Sequence, residues 1–140
     1  MSNVIKISRK SRKWKKIILC IFLAGFTVFV LAMVIVLHII SDDVRSMCQK
    51  AQAEFQGDCV EVLVAYIESD DHTFSEKHDA IWALGEIGDP RCIPTLQKLW
   101  TGEPCTKPCR YDLYICQYQL EKSIQRCQGF NVMRYVWRWI

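Results

Sequence analysis

The clearest pattern of apolar and polar positions lies between residues 75 and 100, where apolar side chains follow the period of an α-helix twice. They recur at steps of three and four residues in two runs, Ala80, Ile81, Leu84 and Ile87, and then Ile93, Leu96, Leu99 and Trp100. Between the runs, Gly88 permits a left-handed helix end, Asp89 can accept from backbone donors, and Pro90 stops the first helix. The stretch predicts a hairpin of two amphipathic helices that share an apolar seam.

A second pattern is the uninterrupted apolar run of 24 residues from position 17 to position 40, which contains no formally charged side chain. At about 1.5 Å of rise per residue, a helix of this length measures roughly 36 Å and exceeds the roughly 30 Å hydrocarbon core of a bilayer. A cleaved signal peptide is the alternative. The run is longer than the usual signal core of about 7 to 15 residues, and no small-residue cleavage pattern follows it. The run therefore predicts an uncleaved transmembrane helix.

The charges on the two sides of this run differ in sign. Residues 1–16 contain no acid and seven basic side chains: Lys6, Arg9, Lys10, Arg12, Lys13, Lys15 and Lys16. The part from residue 41 onward has 11 basic and 15 acidic residues, a net charge of −4 (11 − 15). The positive-inside rule places the N-terminus in the cytoplasm and the remainder outside. Because the basic excess is confined to this flank, no nucleic-acid partner is expected.

Weaker patterns place helices on both sides of the predicted hairpin. A first stripe predicts a helix that ends near Gly57 and can continue the membrane helix; its residues are Val44, Met47, Cys48, Ala51 and Phe55. The apolar residues 59–67 fit a helix or a strand, but a weak repeat of about 33 residues relates this region to the hairpin and favours a helix. After a loop at 101–112, another stripe predicts a helix that ends near Gly129; its residues are Leu113, Cys116, Leu120, Ile124 and Cys127.

The residues AIWALGEIGDPRCIPTL, positions 80–96, resemble a HEAT-like repeat of the type named after phycobilisome lyases. The resemblance is carried by three groups: Ala83-Leu84-Gly85 with Ile87-Gly88, then Asp89-Pro90-Arg91, then Ile93-Pro94 with Leu96. It implies a fragment of an α-solenoid that binds other proteins, and its motif contains no catalytic residue. The expected fold class is all-α, with an N-terminal transmembrane helix followed by a short stack of HEAT-like hairpins braced by disulfides.

Cysteine is unusually frequent, with eight in 140 residues, seven of them after the apolar run. In a small domain outside the cytoplasm this density indicates disulfides, although some cysteines can be buried thiols. A stack of antiparallel hairpins would bring Cys127 near Cys92. Cys105 and Cys109 are expected to bridge locally, to each other or to Cys116, and zinc bound by four thiolates is the less favoured alternative.

The C-terminal segment, residues 130–140, interleaves aromatic, methionine and arginine side chains, which are enriched at protein interfaces. The candidates for partner binding are Phe130, Met133, Arg134, Tyr135, Trp137, Arg138 and Trp139. Equally, these rings could cover the core of the last repeat or lie on the membrane surface.

Four segments summarise the prediction: a basic cytoplasmic tail (1–16), a transmembrane helix (17–40), a HEAT-like domain (41–129) and an aromatic, basic tail (130–140). We expect a non-catalytic, single-pass protein of the cell (inner) membrane with its C-terminal domain outside the cytoplasm. Its partners would be the lipid bilayer and a protein, as an accessory or scaffolding subunit of a larger membrane complex. No cofactor or resident metal is expected. A thiol-redox or metal-handling protein that uses the loop with Cys105 and Cys109 is the alternative.

Overall fold

The computed structural model describes the backbone of residues 2–103 and 110–129 and the side chains of residues 14–103 and 110–129. Within these ranges every regular element is helical. The elements are α1 (Ser2–Gln52), α2 (Cys59–Glu68), α3 (Phe74–Ile87), α4 (Ile93–Leu99) and α5 (Gln117–Gln128), and a short 3-10 turn, Pro90–Cys92, leads into α4. The all-α class expected from the sequence is confirmed.

The chain divides into two compact units, Met1–Ser41 and Asp42–Ile140. The first unit is the longer part of α1, and its side chains from residue 17 to residue 36 are exposed. An 18-residue window of this helix has a mean hydropathy of 2.9, and none of the window is buried. By length and composition α1 can cross a membrane, a test that a signal sequence near an N-terminus also passes.

In the second unit, α1 continues without interruption to Gln52. Four residues of the stripe that predicted a helix here are buried: Val44, Met47, Cys48 and Ala51. The helix ends at Gln52, before the expected boundary at Gly57, and in the turn that follows Ala51 O accepts from the N–H groups of Glu54 at 3.1 Å and Phe55 at 2.9 Å. The Phe55 ring then lies edge-on to Tyr66 of α2, at 6.4 Å between ring centroids. The last residue of the stripe thus packs on α2 instead of extending α1.

Residues 59–67, which fitted either a helix or a strand, form α2. Asp58 precedes the helix in an extended conformation, and its carboxylate accepts from the N–H groups of Val60 and Glu61, each at 3.0 Å. The Glu61 carboxylate accepts in return from the N–H of Asp58 at 3.1 Å, which completes a capping box. The cap satisfies N–H groups that a helix start leaves without partners, and it fixes where α2 begins.

The central hairpin has the construction that its sequence indicated. Thr73 and Glu76 form a capping box at the start of α3. At its end, Gly88 adopts φ 68°, a left-handed conformation, and donates its N–H to Leu84 O at 2.9 Å. Asp89 then accepts from the N–H of Arg91 at 2.9 Å and starts the 3-10 turn. These bonds end α3 and start the 3-10 turn within a few residues, so the chain turns sharply between α3 and α4.

A close helix contact in the second unit joins α3 to α5 at Gly85. A Cβ atom at this position would lie 2.6 Å from the Ser123 hydroxyl and 3.0 Å from Ser123 Cα. The hydroxyl donates to Ile81 O at 3.0 Å, so Ser123 is both fully buried and hydrogen-bonded. At the same interface Arg126 of α5 pairs with Glu86 of α3. Because Gly85 has no side chain, the backbone of α5 can approach α3 this closely.

Two expectations are wrong, one about where α5 begins and one about where α4 ends. Leu113 was expected on the buried face of the last helix, but it is 54% exposed in a turn, and α5 begins only at Gln117. The Gln117 side chain accepts from the N–H of Thr101 at 2.9 Å and donates to Leu99 O at 3.2 Å, which ties the start of α5 to the end of α4. Trp100 was expected in the hairpin seam and is 45% exposed, since α4 ends at Leu99 and the backbone becomes extended.

The Gly85 contact predicts that Gly85→Ala destabilises the second unit. Because the added Cβ would also meet the Ser123 backbone, the cost of overpacking should lie in the upper part of the range of about 1–3 kcal/mol, and the gain of roughly 1 kcal/mol in helix propensity from Gly to Ala offsets only part of it. Gly25→Ala is the matched control, since a Cβ at Gly25 meets nothing within 4 Å. Urea unfolding of the full chain in detergent, followed by tryptophan fluorescence, measures the difference. A Gly85→Ala variant as stable as the Gly25→Ala variant would contradict the packing described.

Candidate functional site

A disulfide closes the connection between α1 and α2. Cys48, on the buried face of α1, is bonded to Cys59, the first residue of α2, with 5.3 Å between their Cα atoms. The bond spans 11 residues, and closing a loop of that size contributes about 3 kcal/mol in the chain-entropy description. The sequence reasoning missed this pair. The signal that could have found it was the position of two cysteines at the ends of two helices joined by a short turn.

Cys92 and Cys127, which the sequence placed near each other, are brought together by the fold. Both are buried, and their Sγ atoms lie 2.8 Å apart. Cys92 ends the 3-10 turn before α4, and Cys127 is in the last turn of α5. The approach follows from the α3–α5 contact, since Cys127 Sγ also lies 3.5 Å from Leu84 O. A covalent bond between Cys92 and Cys127 stays a prediction.

The remaining disulfide candidates are only partly described. Cys116 is buried, precedes the first residue of α5, and takes part in a disulfide. Cys105 and Cys109 themselves lie outside the described residues. Their expected local bridging, to each other or to Cys116, therefore stays a prediction.

An ion-pair network joins the two helix starts that the weak 33-residue repeat related. The Arg91 guanidinium lies 2.6 Å from Asp58 and 3.1 Å from Asp89. Partial burial raises the pKa of Asp58, but the Glu61 N–H and the guanidinium together outweigh it, and the net pKa is lowered. Partial burial also raises the pKa of Asp89, but the hydrogen bonds from Arg91 outweigh it, and the net pKa is lowered. Both carboxylates are thus held ionised beside Arg91, at the turn between α3 and α4.

Aromatic and charged side chains fill the space between α1, α2 and the start of α3. The Tyr66 and His72 rings are stacked with 3.5 Å between centroids, and Lys50 Nζ lies 5.5 Å from the Tyr66 centroid. Lys50 also pairs with Glu76 at 2.9 Å. Hydrogen bonds from Lys50 and from Thr73 lower the pKa of Glu76 to about 2, so the pair is charged at neutral pH. The group ties α1 to the central hairpin.

A groove of about 500 Å³ lies between the end of α1 and the first half of α3, and we name it the α1–α3 groove. Its lining residues are Asp43, Ser46, Met47, Lys50, Asp79 and Trp82. Met47 is buried beneath the groove, Trp82 is partly exposed, and the two aspartates are exposed. The groove therefore combines apolar surface with two carboxylates and is open to solvent.

A smaller groove of about 200 Å³ lies between α4 and α5, and we name it the α4–α5 groove. Its lining residues are Gln97, Trp100, Glu121, Ile124, Gln125 and Gln128. The exposed Trp100 ring makes one side of it partly apolar. Gln128, the last residue of α5, is one of these lining residues. The tail candidates lie outside the described residues: Phe130, Met133, Arg134, Tyr135, Trp137, Arg138 and Trp139.

The described side chains do not assemble a metal centre: residues 14–103 and 110–129 contain no group of three or more His, Cys, Asp or Glu side chains that could hold an ion. What the second unit does present is a set of short helices, fixed by caps, disulfide and ion pairs, with two partly apolar grooves on its surface. Surfaces of this kind bind through complementary shape and charge.

Comparison with known proteins identifies the central hairpin. Residues 77–99 match the family model described as PBS lyase HEAT-like repeat, and the match spans most of α3, the 3-10 turn and all of α4. The HEAT-like module expected from the sequence is thereby confirmed. No curated protein and no solved structure matches the chain. HEAT-like repeats suggest binding to a protein partner.

The cysteine geometry predicts which peptides remain linked without reductant. In protein isolated from an oxidising compartment, non-reducing peptide mapping should recover Cys48 linked to Cys59 and Cys92 linked to Cys127, because each pair is already within bonding reach. Cys20, a thiol of the apolar helix, should be alkylated when the same sample is denatured before labelling, and it serves as the internal control. Recovery of Cys92 and Cys127 as separately alkylated peptides would show that the second bridge does not form.

Proposed function

We propose that this protein is a non-catalytic, single-pass membrane protein whose HEAT-like module binds a protein partner outside the cytoplasm. The observation that carries the proposal is the central hairpin at residues 77–99, a HEAT-like repeat packed against neighbouring helices on both sides. Isolated repeats expose their apolar faces, and stacked repeats use the remaining helix surfaces for binding. The module would act as an accessory or scaffolding subunit of a larger membrane complex.

The exposed apolar half of α1 supports the membrane anchor. An exposed window with a mean hydropathy of 2.9 is costly in water and favourable in a bilayer. The basic residues before the helix and the acids after it support an orientation with the N-terminus in the cytoplasm. The Cys48–Cys59 disulfide agrees with this orientation, because such bonds persist outside the reducing cytoplasm.

The sequence of the C-terminal tail supports a contact with the partner. Residues 130–140 contain Trp137 and Trp139 interleaved with Arg134 and Arg138, and no acid. Tryptophan and arginine are the residue types that most often dominate the binding free energy of an interface. Since the tail follows directly from α5, a partner held by it would also lie beside the helical module.

Affinity purification of the full chain in mild detergent, followed by mass spectrometry, tests this function. Affinity for proteins that co-purify with the wild type should fall by roughly thirtyfold or more with Trp137→Ala/Trp139→Ala, and their recovery should fall with it, since removal of buried aromatic anchors costs about 2 kcal/mol or more. Phe74→Ala is the matched control, because it removes an exposed ring elsewhere on the module and should leave recovery unchanged. The double variant should remain in the membrane fraction.

One result would contradict the proposed function, and a second would contradict the tail contact alone. The first is that no protein co-purifies with the full chain above the level seen with residues 1–40 carrying the same affinity tag. The second is that the tail variant recovers the same proteins as the wild type in the same amounts. The second result would reject the tail contact while leaving the module as the binding surface.

A further inference from the structure

The α1–α3 groove carries an inference about the chemistry of the partner. We infer that this groove receives an arginine or lysine side chain from a basic segment of the protein partner. The inference rests on the proposed function, and it names the charge and the location of the contact that the function leaves open.

The groove carries negative charge that the described side chains do not neutralise. Asp43 and Asp79 are exposed, and neither makes a hydrogen bond or an ion pair with any other described side chain. Lys50 lines the same groove, but its ammonium group is paired with Glu76 at 2.9 Å and lies over the Tyr66 ring. With Lys50 balanced by Glu76, Asp43 and Asp79 leave the groove with two negative charges.

Trp82 makes the groove selective for one kind of cation. The indole ring is partly exposed and forms no ring–ring or cation–π contact with the other described side chains. The face of an indole attracts a cation, and the planar guanidinium of arginine can stack on it while it donates to carboxylates. The buried Met47 below offers apolar contact to the methylene groups of such a side chain. Trp82, Asp43 and Asp79 together therefore fit a long cationic side chain better than a small ion.

The charge of the whole module points to the same partner. Residues 41–129 carry 9 basic and 15 acidic residues, a net charge of −6 (9 − 15). An acidic surface attracts basic partners and disfavours acidic ones during encounter. The groove is the place where this general attraction becomes a defined contact, because it offers depth and an aromatic wall in addition to charge.

The test uses a defined probe and the full chain in detergent micelles. The protein contains five tryptophans, and the indole NMR signal of Trp82 is assigned from its loss in Trp82→Phe. The probe is the tripeptide acetyl-Ala-Arg-Ala-amide, and its citrulline analogue, which has the same shape without the charge, is the reference. The arginine peptide should shift the Trp82 signal saturably, and the citrulline peptide should bind roughly tenfold more weakly.

Variants locate the effect in the groove. Asp43→Asn/Asp79→Asn should weaken the arginine peptide by roughly tenfold while the helical circular dichroism stays unchanged. Asp70→Asn/Glu103→Gln, which removes the same charge from exposed positions outside the groove, should keep the wild-type response. The inference is overturned by an equal response to citrulline, by an unaffected groove variant, or by the absence of any Trp82 shift.

A lipid amine headgroup is the competing occupant. In nanodiscs of phosphatidylethanolamine, the arginine peptide should still shift the Trp82 signal as it does in nanodiscs of phosphatidylglycerol. Loss of the response only with the amine lipid would assign the groove to the headgroup and overturn the protein contact.

These titrations do not use the natural partner. If the titrations fail and co-purification succeeds, only the groove contact is rejected. If the titrations succeed and no protein co-purifies, the proposed function is rejected.

Discussion

The close approach of α3 and α5 at Gly85 is the contact on which the rest of the module depends. Ser123 occupies the space that a side chain at position 85 would fill, and its hydroxyl is satisfied by Ile81 O. This approach sets the last turn of α5 beside the end of α3. Arg126 thereby reaches Glu86, and Cys127 reaches Cys92. A larger residue at Gly85 would separate the helices and loosen all three contacts together.

A module of about 100 residues has a small core, and its connections compensate for this. The Cys48–Cys59 disulfide holds the start of α2 to the end of α1, and Arg91 joins the start of α2 to the turn between α3 and α4. Capping boxes begin α2 and α3. These devices act at the ends of short helices and hold them together around the small core.

The sequence predicted the elements whose signals are local. The period of α3, the cap at Thr73 and the turn at Gly88 all lie within a few residues, and all are present in the structure. The early helix start at Leu113 was wrong because Gln117, tied to the end of α4, decides where α5 begins.

Features that depend on distant residues could not be derived in this way. Asp43, Asp79 and Trp82 are separated by up to 39 positions (82 − 43) and form a groove only after α1 packs beside α3. The position of Trp100 likewise depends on where the short α4 ends. Cys92 and Cys127 are the exception, because the regular geometry of a hairpin stack brings such positions together.

The proposed function requires the module and the basic N-terminal flank to lie on opposite sides of a membrane, and protease protection tests this directly. In sealed right-side-out vesicles from cells expressing the full chain, tags are placed before residue 1 and after residue 140. External protease should remove the C-terminal tag and leave a protected fragment that carries the N-terminal tag. Protection of the C-terminal tag until detergent is added, or release of the whole chain into the soluble fraction, would contradict the account.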